Sequence, residues 1–385
     1  MSAQHDKLEN LVGELPFASL SDWLVAPVRM ALLSLALELE LPDILEEVHS
    51  VSGIAAHLKK NCGRAVDASR LESLMDGMVA AGLACKKDGA YSNSALAEAY
   101  LRKGSPLFLG SLVASLSGMQ HRNLPCLRER LFGEEPHPTL NGANTMNPES
   151  RLNPESKLNP ESKLNPEGRL RDEQHWKRSL AGLAAYQKAG AADILARLIA
   201  GLPNAAEFTS MLDLGCGPGI TALRAAGLLP QLHVTLCDFS PVLDMARAEA
   251  AACGMSDRVE LRPGDFNTVA LGHDHDLVWA CQSLYYATDL PEFLKKVCAA
   301  LRPGGLFVSV HEGVREGVAP EVLVLSRLSL AMEGQDVSLR HGQMAAAASG
   351  AGLERVLARP VPMLFGEAEL EVFRKPHRTG TGEES

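Results

Sequence analysis

A short apolar stretch followed by three glycines at alternate positions strongly limits the folds open to this chain. The segment reads Met-Leu-Asp-Leu-Gly-Cys-Gly-Pro-Gly at residues 211–219, and a helical stretch follows from about Thr221. Glycine has no Cβ, so the backbone can turn tightly there and approach a ligand closely. The acid inside the strand, Asp213, and the G-x-G-x-G spacing both differ from the G-x-G-x-x-G dinucleotide motif. The segment therefore predicts a strand, a ligand-binding turn and a helix.

The rhythm of the chain from residue 208 onwards indicates a parallel α/β sheet, because short β runs alternate with helical stretches. A long helical segment is predicted before it, over 172–202. Seven strands are predicted in all, at Ser210–Leu214, His233–Cys237, Val259–Arg262, Leu277–Ala280, Gly305–Val310, near Leu353–Leu357 and at Leu370–Arg374.

Acidic and aromatic residues end two of these strands. The strand before Asp238 ends about 20 residues beyond the glycines, where an acid can accept hydrogen bonds from both ribose hydroxyls. A later strand closes with Arg-Pro-Gly-Asp-Phe at 262–266, where Asp265 could hold an adenine amine and Phe266 could face its ring. A turn at 301–305, Leu-Arg-Pro-Gly-Gly, leads into another strand. Each element is common, but the four together in this order predict a nucleoside-type ligand.

Residues 1 to about 125 read as mostly helical and contain one predicted hairpin at 83–93. Ser69 and Glu72 match a capping box, and an apolar helical face follows it at 71–79. Asp88-Gly89 between two short extended stretches is a strong hairpin signal. This outline suggests a winged helix. Residues 1–130 nevertheless have 13 Lys and Arg against 15 Asp and Glu, a net charge of −2, so we expect a packing module and not a DNA reader.

Length and composition favour a soluble protein of two folded units. The 385 residues carry a formal net charge of −10, which argues against a nucleic-acid partner. No apolar targeting segment starts the chain, so we expect a cytoplasmic protein without a membrane partner. The eight cysteines form no C-x-x-C pair and read as reduced thiols, and no metal site is predicted.

A six-residue unit repeats four times at 147–170, as in Asn-Pro-Glu-Ser-Lys-Leu. One leucine and one proline per repeat offer little apolar surface to offset the ordering entropy, so the segment is predicted to be a disordered connector. The predicted organisation is a winged-helix-like domain at 1–133, the connector at 134–171, an α/β domain at 172–376 and a disordered tail at 377–385.

Taken together, residues 208–375 resemble the class I S-adenosylmethionine-dependent methyltransferases. Residues 28–113 look like the winged-helix dimerisation domain of the small-molecule O-methyltransferases. The resemblance implies a Rossmann-like seven-stranded sheet, S-adenosylmethionine as cofactor, a homodimer built by the N-terminal domain and a small-molecule methyl acceptor. Matched residue by residue, the implied cofactor positions are Asp213, Gly215, Cys216, Gly217, Gly219, Asp238, Phe239, Asp265, Phe266 and Cys281.

The chain departs from this family at the residue that acts as general base. The family carries Leu-His-Asp-Trp after the fourth strand, whereas this chain has Leu-Tyr-Tyr-Ala at 284–287, so Tyr285 stands at the position of the base. A phenol with a pKa of about 10 is a poor base near neutrality. His311 and Glu312, just beyond the fifth strand, are the best substitutes, and His341 is a weaker one. The sequence His-Asp-His-Asp at 273–276 precedes its strand and is predicted to be a polar loop.

Two functional hypotheses follow. The first is a dimeric methyltransferase of a small molecule, with oxygen acceptors favoured by the resemblance and sulfur, nitrogen and carbon acceptors left open by the missing histidine. The second is a non-catalytic protein that binds the cofactor for a regulatory purpose. The intact acids at 213, 238 and 265 favour cofactor binding under both hypotheses.

Overall fold

The computed structural model describes residues 20–132, 173–314, 324–326, 328, 339–364 and 366–377. The chain forms two compact units, Met1–Ser117 and Gly118–Ser385, so the first unit ends before the predicted boundary at 133. The predicted connector and residues 378–385 of the predicted tail lie outside the described residues. The domain limits therefore stay a prediction.

The first unit is mainly helical and contains one hairpin. Its helices are α1 to α6, and the hairpin strands β1 and β2 lie between α4 and α5. Their bounds are α1 Leu20–Glu38, α2 Leu41–Ile44, α3 Val51–Cys62, α4 Ala68–Ala80, β1 Ala84–Lys87, β2 Ala90–Asn93, α5 Ala95–Tyr100 and α6 Gly110–Asn123, whose last residues belong to the second unit. Apolar side chains from α1 to α5 and the hairpin form one core, which includes Ile54, Met75 and Tyr91.

The hairpin forms where the sequence predicts it. Asp88 and Gly89 both have positive φ, 51° and 77°, as a two-residue type I′ turn requires, and Lys87 pairs with Ala90. The predicted capping box is wrong, because Asp67 caps α4 instead: its carboxylate accepts a hydrogen bond from the amide of Arg70 at 2.9 Å. The cap lies two residues earlier than predicted because Asp67 has the extended backbone of a cap residue.

Helix α1 has the length and apolar composition of a membrane-crossing helix. The same properties are found in the core helix of a soluble protein and in a signal sequence. Several of its large side chains are exposed, among them Trp23, Leu24 and Val28, which are 67%, 75% and 64% exposed. The absence of a membrane partner therefore stays a prediction.

The second unit is built around the predicted α/β sheet, which has seven strands in the order β10-β11-β7-β6-β3-β4-β5. Strands β3 to β7 pair in parallel, and β11 and β10 add an antiparallel edge. The strands are β3 Ser210–Leu214, β4 His233–Asp238, β5 Val259–Pro263, β6 His275–Cys281, β7 Leu301–His311, β10 Glu354–Met363 and β11 Gly366–Arg374. All seven predicted strands are confirmed, and β10 is the one placed least accurately. A separate two-stranded pair joins β8 Gly313–Val314 to β9 Leu339–Arg340.

The second unit also contains the helices that follow α6. They are α7 Leu127–Leu131, α8 Glu173–Tyr186, α9 Ala192–Ala200, α10 Ile220–Leu228, α11 Ser240–Ala252, α12 Leu290–Ala300 and α13 Gln343–Gly350. Helices α9, α10 and α11 contribute to the core on one face, and α12 and α13 to the core on the other. Met211 and Leu212, adjacent on β3, belong to opposite cores, as the alternation of side chains along a strand requires.

The predicted helix over 172–202 is interrupted. A π-helical turn at Gln187–Ala191 separates α8 from α9, and Gly190 has a φ of 121°. Only glycine adopts such a backbone readily, so the break lies at this residue. The hydroxyl of Tyr186 accepts a hydrogen bond at 3.0 Å from the amide of Leu364, at the turn between β10 and β11.

The prediction of a polar loop at 273–276 is wrong for His275 and Asp276, which are buried at the start of β6 and stabilise the end of the sheet opposite the glycine turn. The carboxylate of Asp276 accepts hydrogen bonds from the amides of Thr209 and Ser210 at 2.7 and 2.9 Å and pairs with Arg302. Burial alone would raise the pKa of Asp276, but these bonds lower it below its usual value. The imidazole of His275 is bonded at both nitrogens, to Ser210 Oγ and Leu271 O. The described residues contain no cluster of potential metal ligands.

Candidate cofactor site

The glycine turn lies at the carboxyl end of β3, in the middle of the sheet. Gly215, Gly217 and Gly219 all have left-handed φ values, 68°, 56° and 72°. A Cβ at Gly215 would lie 2.6 Å from Cβ of Ser283, whereas at Gly217 it would meet nothing nearer than 3.8 Å. The amide of Gly215 donates to the carbonyl of Cys237 in β4 at 2.9 Å. The turn is thus held between the ends of β3, β4 and β6.

Asp238 ends β4 beside this turn. One carboxylate oxygen accepts a hydrogen bond from the amide of Gly217 at 2.8 Å, and the other accepts one from the amide of Phe239 at 2.8 Å. Each carboxylate oxygen can accept about two hydrogen bonds, so both retain capacity for ligand hydroxyls. Burial raises the pKa of Asp238 to about 6, although the two amides lower it. The group is therefore mainly ionised at neutral pH.

Asp213 is a buried acid on β3, only 3% exposed. Burial, and then the negative charge of Asp238, raise the pKa of Asp213 to about 8. A positively charged ligand group beside it would favour the ionised carboxylate. The methionine part of S-adenosylmethionine carries an amine and a sulfonium, so this buried acid fits that cofactor.

Asp265 and Phe266 follow β5; the carboxylate of Asp265 is hydrogen-bonded, whereas the ring of Phe266 is buried. Asp265 accepts hydrogen bonds from the amide and the side-chain amide of Asn267, both at 2.8 Å. Phe266 is buried against Phe293, with ring centroids 5.1 Å apart. Its ring edge would lie 3.8 Å from a Cβ on Gly215, so Phe266 lies beside the glycine turn.

Two cysteines complete the predicted cofactor set. Cys216 lies inside the glycine turn and is 6% exposed, and Cys281 ends β6. Burial raises the thiol pKa of both residues. Both side chains are therefore neutral thiols at physiological pH. All eight cysteines are free.

A turn at 282–287, which we name the tyrosine turn, connects β6 to the segment before α12. It includes a 3₁₀ turn at Leu284–Tyr286, in which the rings of Tyr285 and Tyr286 lie edge to face with centroids 4.6 Å apart. Asn267 fixes one end of it: its side-chain amide donates to the carbonyl of Tyr286 at 3.1 Å, and its carbonyl oxygen accepts from the amide of Thr288 at 2.9 Å. Tyr285 lines a groove of about 360 Å³, whose other side includes Leu339, Arg340 and Gln343.

His311 ends β7 and is 3% exposed. Its Nε2 atom accepts hydrogen bonds from the amides of Ser283 and Leu284 at 3.0 and 2.9 Å. Its Nδ1 atom lies 2.8 Å from Oγ of Ser309. Both ring nitrogens of His311 are thus hydrogen-bonded within the protein, whereas a general base needs a ring nitrogen directed at the methyl acceptor.

The other two candidate bases lie near the same edge of the sheet. Glu312 follows His311 directly and is 7% exposed. His341 lies in the turn between β9 and α13 and is bonded through Nδ1 to the carboxylate of Glu369 in β11. Glu369 pairs with His311 across β7 and β11. Tyr285 and His311 are in contact, with ring centroids 5.9 Å apart.

Sequence reasoning missed two residues of this site, Ser283 and Asn267. Ser283 donates from Oγ to the carbonyl of Leu214 at 2.7 Å and packs against Gly215. No motif marks Ser283, because its importance comes from contacts with residues far away in the sequence. Asn267 follows Asp265-Phe266 directly, and an amide side chain there could have been noted as a candidate.

Two family models match the chain. One, for a methyltransferase domain, matches residues 211–305, and the other, for an O-methyltransferase dimerisation domain, matches residues 26–103. A ubiquinone biosynthesis O-methyltransferase of Methylobacterium sp. (strain 4-46) is 36% identical over 100 residues, which cover 26% of this chain and 39% of that protein. The acetylserotonin O-methyltransferase of Mus musculus is 28% identical over 321 residues, 80% of this chain and 76% of that protein. The chain matches about two fifths of the length of the first of these relatives.

Solved structures show the same fold. An O-methyltransferase family protein from Burkholderia thailandensis aligns with a TM-score of 0.71 at 19% identity, covering 95% of this chain and all of that one. Human N-acetylserotonin methyltransferase in complex with SAM aligns with a TM-score of 0.67 at 20% identity, covering 95% of this chain and 99% of that one.

Residues 211–305 are therefore similar to a methyltransferase domain, and the sheet that contains them has the fold of the solved methyltransferases. Residues 26–103 are similar to an O-methyltransferase dimerisation domain, so the chain resembles the O-methyltransferases that carry this domain before the methyltransferase domain.

Proposed function

We propose that this chain transfers a methyl group from S-adenosylmethionine to a small molecule, with oxygen as the favoured acceptor atom. The observation that carries the proposal is a pair of acids beside the glycine turn, the buried Asp213 on β3 and the half-buried Asp238 at the end of the neighbouring β4. The named relatives, which include acetylserotonin and ubiquinone biosynthesis O-methyltransferases, favour oxygen.

In this proposal each cofactor residue has a separate role. Asp238 would accept hydrogen bonds from the ribose hydroxyls, and Asp213 would face the charged methionine part. Asp265 would hold the adenine amine, while the rings of Phe239 and Phe266 would border the adenosine. When bound, the cofactor supplies an electrophilic methyl group on a sulfonium. Because an in-line displacement depends mainly on alignment, the chain's task is to orient the two reactants and exclude water.

The acceptor side of the site lacks the family's histidine. Tyr285 can position an acceptor by hydrogen bonding, but its phenol is a poor base near neutral pH. The ring nitrogens of His311 are engaged with backbone and serine groups, which leaves Glu312 as the proposed proton acceptor of the three candidates. This arrangement suits an acceptor that ionises readily, such as an acidic phenol. Thiol, amine and carbon acceptors remain open.

The proposal is tested first by calorimetry and then by methyl transfer. We expect the wild-type protein to bind S-adenosylmethionine with a dissociation constant in the micromolar range, roughly −8 kcal/mol. With methyl-labelled cofactor, we expect label to appear in an acidic phenol before it appears in matched thiols or amines. Mass spectrometry of the product identifies the atom that is methylated.

Each other outcome points elsewhere. Binding without transfer to any member of the panel would favour the non-catalytic regulatory protein. The absence of binding would overturn the proposal and leave only the fold.

We also propose that the chain forms a homodimer through α1. The dimerisation model begins within this helix, at residue 26, and α1 exposes Trp23, Leu24 and Val28 on the first unit. Burying such side chains against a second copy would remove a large apolar area from water, at about 25 cal/mol per Å². A partner of the same sequence would present the same side chains.

Replacing Leu24 with aspartate should weaken the dimer about 30-fold, because a buried unpaired charge costs roughly 2 kcal/mol or more. Sedimentation velocity over a concentration series measures the effect. Leu228→Asp is the matched control, since Leu228 is 50% exposed on α10 in the second unit, and it should leave the dimer intact. A wild-type protein that is monomeric and sediments with lipid vesicles would instead assign α1 to a membrane.

A further inference from the structure

His311 connects the ends of three strands. From the end of β7, its Nε2 accepts hydrogen bonds from the amides of Ser283 and Leu284, at the start of the tyrosine turn after β6. Ser283 in turn donates from Oγ to the carbonyl of Leu214, the last residue of β3. Ser283 therefore links the imidazole of His311 to Leu214, the residue before the first glycine of the glycine turn.

The donors determine which tautomer His311 adopts. A backbone amide can only donate, so Nε2 must present a lone pair to both amides. The ring proton of a neutral imidazole then lies on Nδ1, where it donates to Oγ of Ser309 at 2.8 Å. In this state His311 is an acceptor for the backbone, and its only ring proton is directed at a neighbouring strand residue.

The tyrosine turn begins at a residue with an unfavourable backbone conformation, so its backbone needs hydrogen bonds from outside the turn to hold it in place. Gln282, its first residue, has a φ of 55°, a left-handed conformation that costs a non-glycine residue energy. The amide of Gln282 donates to the carbonyl of Val310 at 3.0 Å, so three consecutive amides, at 282, 283 and 284, are bonded to the end of β7. The next residue, Tyr285, carries the ring that contacts His311.

We propose that His311 is a positioning residue, whose neutral imidazole holds the tyrosine turn against the glycine turn and so sets both cofactor affinity and the placement of Tyr285. This inference rests on the proposed function for its consequences in cofactor affinity and catalysis. Its structural part, the fixation of the amides of Ser283 and Leu284, applies equally to the protein without cofactor.

The experiment compares His311→Gln with His311→Leu. Glutamine offers a carbonyl oxygen that can accept hydrogen bonds but is not an effective base at neutral pH, whereas leucine leaves two buried amides without an acceptor. Hydrogen exchange in the cofactor-free protein should accelerate at least about tenfold at Ser283 and Leu284 in His311→Leu, and about threefold or less in His311→Gln. By calorimetry, S-adenosylmethionine affinity should fall about tenfold in His311→Leu and stay within about threefold in His311→Gln.

Two further variants complete the design. Ser309→Ala removes only the partner of Nδ1, so exchange at the two amides should accelerate by an intermediate factor; this variant tests the proposal even if His311→Leu does not fold. His233→Leu is the control, because His233 is an exposed histidine at the opposite end of the sheet, and it should match the wild type in both measurements.

The results separate this inference from the proposed function. Equal loss of methyl transfer in His311→Gln and His311→Leu, with exchange and cofactor affinity unchanged, would make His311 a general base and overturn the inference. Unchanged exchange in His311→Leu would also overturn it. Failure of the wild type to bind S-adenosylmethionine would defeat the proposed function and the effect of His311 on cofactor affinity. The structural part of the inference would still be decided by the exchange measurement, which uses no cofactor.

Discussion

Replacing Asp238 with alanine is expected to lower the affinity for S-adenosylmethionine about 1000-fold. The proposed hydrogen bonds from two ribose hydroxyls to a carboxylate contribute roughly 1.5–3 kcal/mol each, and about 1.4 kcal/mol corresponds to a factor of ten. The variant also loses the two bonds by which Asp238 holds the amides of Gly217 and Phe239. The glycine turn would therefore be less ordered before the ligand arrives. Isothermal calorimetry of the purified protein measures the change.

Two comparisons sharpen this result. Asp238→Asn keeps the shape but replaces one acceptor oxygen with a donor, which would face one of the two amides, so its affinity should lie between those of the wild type and the alanine variant. Asp257→Ala removes an exposed acid from the turn before β5 and should bind like the wild type. Affinity in Asp238→Ala within tenfold of the wild type would contradict the assigned role.

The sheet could be predicted because each parallel strand is a short apolar run bounded by turn residues. Strand β3 was located at its observed bounds, since an apolar run ends in the first glycine of the turn. The antiparallel strand β10 is predicted less accurately, because its first seven residues do not alternate between polar and apolar side chains and all seven are exposed at the edge of the sheet. Local hydrophobicity carries little information for an edge strand.

The cofactor acids could be predicted for a similar reason: the carboxyl ends of parallel strands meet at one edge of the sheet, so residues at those ends are brought together. The environment of His311 could not be predicted. Its ring accepts hydrogen bonds from amides 27 and 28 residues away in the sequence, and backbone amides leave no trace in the residue type. A histidine at a strand end is equally consistent with a base and with an anchor until its partners are known.

The cap of α4 shows how close alternatives compete. Asp67 and Ser69 are both good cap residues, and only Ser69 has a glutamate three positions later. In the structure Glu72 instead forms an ion pair with Lys86 of the hairpin, at 3.4 Å. A contact between the helix and the hairpin thus occupies the side chain on which the capping box depended.

Replacing Gly215 with alanine is expected to lower cofactor affinity about 100-fold. A left-handed φ of 68° costs an alanine roughly 1 kcal/mol. The new Cβ would lie 2.6 Å from Cβ of Ser283, and relief of such an overlap costs about 1–3 kcal/mol. Ser283 cannot move freely, because Leu214 and His311 hold it on two sides. We therefore expect the tyrosine turn and the glycine turn to separate, and calorimetry with S-adenosylmethionine measures the loss.

Gly254→Ala measures the cost of an alanine in a left-handed backbone without the overlap that Gly215→Ala creates. Gly254 has nearly the same φ, 66°, but no atom lies within 4 Å of its added Cβ. This variant should lose about 1 kcal/mol of unfolding free energy by chemical denaturation and bind the cofactor like the wild type. Comparable affinities of Gly215→Ala and Gly254→Ala would show that the overlap with Ser283 does not matter.

The double variant Gly215→Ala/Ser283→Gly tests whether the contact itself is responsible. Removing the Ser283 side chain eliminates the overlapping atom, although it also removes the hydrogen bond to Leu214. Because residues in direct contact are not additive, the double variant should bind the cofactor more tightly than Gly215→Ala alone. Additive losses would mean that the two turns affect the cofactor separately. Tighter binding in the double variant would mean that the close packing of Ser283 on Gly215 couples the position of the tyrosine turn to the cofactor site. His311 is inferred to maintain the same coupling by holding the amides of Ser283 and Leu284.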